Sequence, residues 1–510
     1  MAGQQRSRVI GDLQLTHHPE QDEVPVAAVL ELNALFPGSL TTVTEEFFRT
    51  WSGFSGDSSN GPPGQVRAGL AYVTNRLYQV VLSRTRLADL IAFDASPDRG
   101  RPPTIFKAWP DYPMRAHIDR SAATVKADAA YRAFSASGAG IVWAVIDSGI
   151  DAGHGHFAGL GIADDADPAA RAGDQASPTY GLHRDFTHLV PVGPDPEGTP
   201  VPEPGDDPLT DEAGHGTHVA GIIAGRCPPE QAPHIATGDE PVGTEGFISR
   251  LPAAALAGMA PDCELVSLKV LRRNSQGLLV TSSSAVLRAL DYLCSEVNTV
   301  PGMPRVHGVN LSLGCDWDPA HYAAGRSPLC QAIDEAARRG LFVVVSAGNS
   351  GYSQADDPNT VRAALGSISE PAHAQKCIAV GSTHRDAPHV FGVTYTSGKG
   401  PTLDGRSKPD VVAPGEWITS AATGSLRERA GMGALPGEAR TLAYAPDSGT
   451  SMAAAHVSGV IAAFLSVRPE YIGRVDEVKQ IIRATTTDLG RERYAQGHGL
   501  IDLMRMLSQS

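Results

Sequence analysis

From residue 138 onward the chain alternates short, nearly uninterrupted apolar runs with longer helical stretches, and this alternation restricts its fold more than any other feature. Runs of strand length stand at 141–146 (IVWAVI), 264–271 (ELVSLKVL), 306–313 (VHGVNLSL), 341–346 (LFVVVS) and 377–380 (CIAV). A strand with one wet face would alternate apolar and polar residues. Continuous runs instead imply cover on both faces, as in a parallel sheet. Helical stretches at 216–225, 282–295 and 328–339 separate several of these runs. A further one, 451–467 (SMAAAHVSGVIAAFLSV), is apolar nearly all round and is expected to be a buried central helix. The pattern implies an α/β domain, a doubly wound and mostly parallel sheet with helices on both faces.

The N-terminal part reads differently. A polar segment, 1–24, precedes two Val/Leu/Tyr-rich strands expected at 25–33 and 76–83, with a Gly/Ser/Pro loop at 51–66 between them. Leucines in 84–95 are spaced for one helical face, and 104–119 reads as an extended tail. The organisation expected is therefore a small α+β module over 25–118, then a second domain over 119–510.

Charge and cysteine use narrow the partners. Forty-two Lys and Arg against 56 Asp and Glu leave a formal charge of −14, which argues against nucleic acid. Seven of the acids fall within 195–212, which has no Lys or Arg and reads as a solvated, proline-stiffened loop. No window holds 18 uninterrupted apolar residues, so no membrane span is expected, and the first 24 residues contain no apolar core of the length an export signal needs. The six cysteines (227, 263, 294, 315, 330 and 377) show no CxxC or CxxH pairing, which argues against zinc. They read as reduced thiols, and a cytoplasmic location is expected.

Four short windows carry the chemistry. VIDSGID (145–151) is a strand ending in a carboxylate before a glycine turn, and DEAGHGTHVAG (211–221) sets His215 at a glycine-flanked helix start. SGTSMAAAHVSG (448–459) opens a helix on Ser451, and SAGNSG (346–351) follows a buried strand. Singly, each has an ordinary structural explanation: an Asp after a strand is usually a turn residue, and a GxS turn is usually just a turn. Together they supply what amide hydrolysis near neutral pH requires. A serine hydroxyl is inert until an imidazole takes its proton in the transition state, and a buried carboxylate fixes the imidazole tautomer.

These windows, in the order Asp147, His215, Ser451, resemble the signature blocks of the subtilisin-like serine proteases (subtilases, peptidase family S8). The resemblance extends over roughly 118–508. It implies a serine endopeptidase in which Ser451 is the nucleophile, His215 the general base and acid, and Asp147 the orienting carboxylate. Asn349 matches the family's oxyanion-hole asparagine, which would act with the Ser451 backbone N–H. LSLG (311–314) looks like the edge along which a bound peptide adds as a strand, so that Ser312, Leu313, Gly314, Ala347 and Gly348 become substrate-binding candidates. By the same resemblance 368–370 (ISE) floors the primary pocket, where Glu370 would either favour basic side chains or face solvent; a broad apolar preference is expected. His218 and His456 read as structural, as does the His154–His156 pair.

The chain also departs from the family. Ala455 stands where proline is usual, a change that favours the helix. Insertions occupy 152–210 and 226–256. The second lies where compact members carry a calcium loop, so calcium is not carried over and no cofactor or metal is expected. The N-terminal module loosely resembles the inhibitory propeptide of secreted members, which makes it an expected intramolecular inhibitor alongside the polypeptide substrate.

Overall fold

Strand β5 (Val142–Asp147) is buried along its whole length, and its side chains part to two sides in the computed structural model. Trp143 and Val145 enter one apolar cluster with Val219 and Ile222 of helix α3 (His215–Ile223) and Val457 and Ile461 of helix α6 (Thr450–Val467). Val142, Ala144 and Ile146 enter another, with Leu290 of helix α4 (Ser283–Asp291) and Ile333 of helix α5 (Pro328–Arg338). Helices thus cover both faces, and this is the physical origin of the continuous apolar runs. The residues described are 22–56, 70–74, 76–110, 118–162, 178–190, 207–236, 248–250, 256–273, 278–300, 302–315, 323–354 and 361–509. Most of the 195–212 stretch, the tail segment 111–117 and parts of both insertions lie outside them.

With β5 stand β6 (Arg184–Asp185), β7 (Glu264–Lys269), β8 (Gly308–Leu311), β9 (Phe342–Ser346), β10 (Ile378–His384) and β11 (Val411–Glu416). They form one seven-stranded sheet in the order β11-β10-β9-β8-β5-β7-β6, with every pairing parallel. The chain leaves β7 and crosses β5 to begin β8, so the direction of winding reverses beside β5. In open parallel sheets such a switch point opens a crevice at the carboxyl ends of the strands. Asp147 ends β5, Ser312 follows β8 and Asn349 lies just past β9, all on that edge. By length and composition α6 could cross a membrane, but it is buried in the core between the sheet and α3.

The chain divides into two units, Met1–Arg115 and Ala116–Ser510. The first follows the order β1 (Pro25–Leu32), α1 (Leu40–Ser55), β2 (Leu70–Thr74), β3 (Leu77–Ser83), α2 (Arg84–Asp94), β4 (Ile105–Pro110). Its antiparallel sheet runs β2-β3-β1-β4, a split βαββαβ arrangement. Leu30, Leu32, Tyr78 and Val80 pack with Phe47, Trp51, Leu87 and Leu90 of the two helices. Val81 and Phe106 are exposed.

Two expectations need correction here. The start of the expected tail, 105–110, is strand β4, paired along β1. The first residues of the expected 51–66 loop finish helix α1, which the pattern did not reveal: LTTVTEEFFRTWSGFS is rich in β-branched and aromatic residues of weak helix propensity. A capping box between Ser39 and Thr42 starts that helix, and burial of Val43, Phe47 and Trp51 holds it.

Candidate active site

His215 is the first residue of α3 because Gly214 before it takes a left-handed turn (φ 85°). A side chain there would meet the Thr423 carbonyl oxygen at 2.3 Å, so backbone angle and close approach both call for glycine. His215 Nδ1 lies 2.8 Å from Asp147 Oδ1 and donates to it. The same oxygen accepts from the Ser148 backbone N–H (2.8 Å). Asp147 is fully buried, and its Oδ2 has no hydrogen-bond partner among the described residues. A carboxylate so poorly solvated depends on the neighbouring imidazole for compensation. Burial alone would lower the His215 pKa. The charge and hydrogen bond of Asp147, reinforced by Asp447 and Asp211, prevail and raise it to about 9.

Asp211 holds this half of the site together. It is buried, with Oδ1 accepting from Ser148 Oγ (2.9 Å), Ala213 N (3.1 Å) and Gly214 N (2.8 Å). Oδ2 accepts from Thr217 N (2.9 Å) and Thr217 Oγ1 (2.7 Å). The Asp211 pKa is raised by burial, against which the Thr217 and Gly214 hydrogen bonds work. Ser148 Oγ in turn accepts from Gly216 N (2.9 Å), tying the aspartate turn to the first turn of the histidine helix. Reading Asp211 as part of a solvated acidic loop was therefore wrong. Its signal was present, in an acid four residues before a Gly-flanked histidine, but the neighbouring acids obscured it.

Ser451 sits in the first turn of α6, nearly buried, where the backbone N–H groups have no intrahelical partner. Its hydroxyl donates to the Ser312 carbonyl at 3.4 Å, and no hydrogen bond joins it to His215 among the described residues. The Ser451 carbonyl accepts from Ser312 Oγ (3.1 Å), which accepts from Asn310 Nδ2 (2.8 Å). Asn310 Oδ1 accepts from Ser458 Oγ (3.0 Å), about two turns further along the same face of α6. Buried Asn310 thus locks β8 to the serine helix, and no sequence window had marked it.

Asn349 Oδ1 accepts from Thr450 N (2.9 Å) and Thr450 Oγ1 (3.1 Å). This fixes the amide plane and leaves Nδ2 as its open donor. Thr450 Oγ1 also accepts from Gly348 N (3.1 Å). Gly348 itself has φ 93°, and a Cβ there would lie 2.6 Å from Ser369 Oγ. Buried Lys399 holds the far end of the same loop, its Nζ donating to the carbonyls of Gly351, Tyr395 and Ser397 at 2.8–3.0 Å.

A cleft of about 290 Å³ is lined by Ser451, Thr450, Asn349, Gly348, Ser346, Ser350, Ser312, Gly314, Ser369 and the exposed Cys315. Of the five substrate-binding candidates, Ser312, Gly314 and Gly348 line it. Leu313 packs against the core instead, and Ala347 is fully buried within it. Glu370 takes neither expected role. It is buried, with its carboxylate accepting from Cys330 Sγ (3.0 Å), His373 Nδ1 (3.1 Å) and Ser327 Oγ. Burial opposes its ionisation, but these hydrogen bonds lower its pKa.

The four histidines read as structural, His154, His156, His218 and His456, are buried. His156 Nε2 lies 3.1 Å from the carbonyls of both Gly221 and Ala224, and burial lowers its pKa to about 3. His154 Nε2 bonds the Ala443 carbonyl (2.9 Å). His218 bonds Ala445 O (3.0 Å) and His456 bonds Met452 O (2.8 Å), and burial lowers the pKa of His456 to about 4. Among the described residues no three His, Cys, Asp or Glu side chains are grouped to hold a metal ion. All six cysteines are free thiols.

Against known proteins, the profile of the subtilase family matches residues 138–499, and the matched span contains every group described above. The chain belongs to the subtilase family. Relatives of this subtilase include M-protease of Shouchella clausii, 29% identical over 299 residues, or 59% of this chain and 56% of that protein. Subtilisin Savinase of Lederbergia lenta is 29% identical over 299 residues (59% of this chain, 79% of Savinase). Serine protease AprX of Bacillus subtilis is 30% identical over 285 residues (54% and 53%). The match thus spans about half the length of M-protease and AprX. Among solved structures, a protease from Pseudoalteromonas arctica covers 73% of this chain and 91% of its own at 21% identity, with a TM-score of 0.47.

Proposed function

We propose that this subtilase is a serine endopeptidase working through an acyl-enzyme. The observation that carries the reading is the 2.8 Å Asp147–His215 contact at the strand edge where Ser312 holds Ser451 of α6 and where the amide of Asn349 is pinned. In this reading the Ser451 hydroxyl leaves the Ser312 carbonyl, to which it now donates, and gives its proton to His215 Nε2. Oγ attacks the scissile carbonyl carbon as that proton passes. The carbonyl π pair moves onto oxygen, where Asn349 Nδ2 and the Ser451 N–H donate to it. The imidazolium next protonates the leaving amine, the C–N bond breaks, and water repeats the sequence to release the acid. Ser312, Gly314 and Gly348 align the peptide beside the nucleophile.

The primary pocket takes apolar rather than basic side chains, because its acid, Glu370, is buried and engaged by Cys330, His373 and Ser327. What remains around the pocket is small and neutral: Gly314, Gly348, Ser350 and Ser369. Peptides with Phe or Leu before the cut should exceed those with Lys or Arg in kcat/KM by at least about tenfold. Equal values would overturn this preference.

We also propose that residues 25–118 form an intramolecular inhibitor, on the strength of their position and of a one-layer sheet that exposes Val81 and Phe106. A fluorophosphonate probe tests both readings. The full chain should label and Ser451→Ala should not. A chain lacking 1–118 should label faster. Labelling that survives Ser451→Ala defeats the nucleophile assignment, and unchanged labelling on truncation defeats the inhibitor.

A further inference from the structure

A second cleft of about 290 Å³ is lined by Gln375, Arg406, Ser407, Lys408, Arg483, Arg493 and His498, and none of the groups assigned to peptide hydrolysis contributes to it. Its walls come from the loop entering β11, from helix α7 (Val475–Thr485) and from the closing segment near the C-terminus. Charge here runs against the balance of the whole chain, which carries −14. Lys408, Lys479 and Arg483 all converge on one carboxylate, Asp410, at 2.6, 3.2 and 2.6 Å. Arg406 is paired with Asp404 (2.7 Å). Arg493 has no carboxylate partner among the described residues: it donates to Ser407 Oγ (3.2 Å) and lies 3.3 Å from His498 Nε2.

Three cations sharing one buried carboxylate, with a fourth unpaired beside them, make a site short of negative charge. Asp410 is held ionised, its pKa pushed far down against burial by Lys408 and Lys479. The pKa of His498 is lowered by burial and by Arg483 and Arg493, so no proton adds to the surplus. The purely structural part, Lys408 with Asp410, is buried, whereas the side chains of Arg483 and Arg493 reach the surface of the cleft. Two planar guanidinium forks at the cleft surface, in front of a buried ammonium, suit the tetrahedral oxygens of a phosphate better than a single carboxylate. The volume lies at the lower limit of small-molecule sites, which fits one or two phosphate units and not a nucleotide.

We propose that this cleft binds a small phosphate-type oxyanion, with Arg493 and Arg483 as its principal contacts and the buried Lys408 as a positive charge behind them. Bound there, the anion ties the closing segment to α7 and to the loop entering β11, so it stabilises the folded chain by mass action. The test is calorimetric titration of the full chain with inorganic phosphate and with pyrophosphate at matched ionic strength, paired with thermal melts. Saturable binding, tighter for pyrophosphate and with a raised Tm, is expected. Arg493→Gln removes an exposed side chain without breaking an ion pair and should weaken binding at least about tenfold. Arg468→Gln, whose partner is Glu470, serves as the remote control and should leave binding unchanged. No saturation by about 10 mM, or equal affinity in Arg493→Gln and the parent chain, would overturn the proposal.

Discussion

On the histidine side of the site, buried carboxylates hold the working group: Asp147 bonds the imidazole, Asp211 gathers five donors around the helix start, and Asp447 adds its field. On the serine side the same task falls to neutral groups, with Asn310, Ser312, Thr450 and Asn349 passing hydrogen bonds from β8 and the 346–351 loop to α6. The difference follows the charge each half must manage. In the proposed mechanism the imidazole becomes a cation, which fixed negative charge would stabilise. In the same mechanism Ser451 and the scissile carbonyl build an oxyanion, which nearby carboxylates would destabilise and amide or hydroxyl donors would not. Fixed charge also acts at a distance, whereas neutral hydrogen bonds act only where they touch. Mutations on the two sides should therefore fail in different ways.

The largest effect is expected from Asp147→Asn. The amide keeps the shape but favours the wrong imidazole tautomer and removes the charge, and a triad carboxylate replaced in this way typically costs ~10⁴ in kcat. Steady-state kinetics on a peptide substrate would show it, with KM little changed. A loss below about tenfold would mean that Asp147 does not orient His215, and the contrast between the two halves would collapse.

Next comes Asn349→Ala, which removes one oxyanion donor and leaves Thr450 to water. The expected loss is ~10²–10³ in kcat, a range that itself derives from subtilisin. The pH profile should keep its shape, because no charge near His215 has changed. A displaced profile would show that the serine side carries electrostatic weight that its neutral groups do not explain.

Much of this contrast could be read from the sequence, but unevenly. The parallel sheet was legible because strands covered on both faces must be apolar at every position, as IVWAVI and LFVVVS are. The glycine-flanked windows marked Asp147, His215, Asn349 and Ser451 as candidates, since each stands at a tight turn at the end of an element. Helix α1 was hidden because tertiary burial, not propensity, holds it. Asp211 and Glu370 were misjudged for a related reason. Nothing in the composition of an acid shows whether water or five backbone and side-chain donors solvate it. Asn310 left no trace at all, because an amide inside an apolar strand becomes meaningful only once Ser312 and Ser458 stand beside it.

The smallest effect separates the two halves most sharply. As the proposed base His215 would act only when neutral, and its pKa is raised to about 9, so kcat/KM should climb as pH rises and level off above about 9. Asp211→Asn removes one of the charges that raise this value, so the rising limb should move to lower pH. The same change puts an amide NH₂ against donors: if the new carbonyl serves Ser148, Ala213 and Gly214, the Thr217 N–H loses its acceptor. A stability loss of about 1–3 kcal/mol follows, measurable as a shift in denaturant midpoint. Asp211 touches neither substrate nor nucleophile, so a purely structural role would lower stability and leave the limb in place. Both shifts together would show that the carboxylates on the histidine side set the protonation of the base as well as its position, which the neutral serine side has no means to do.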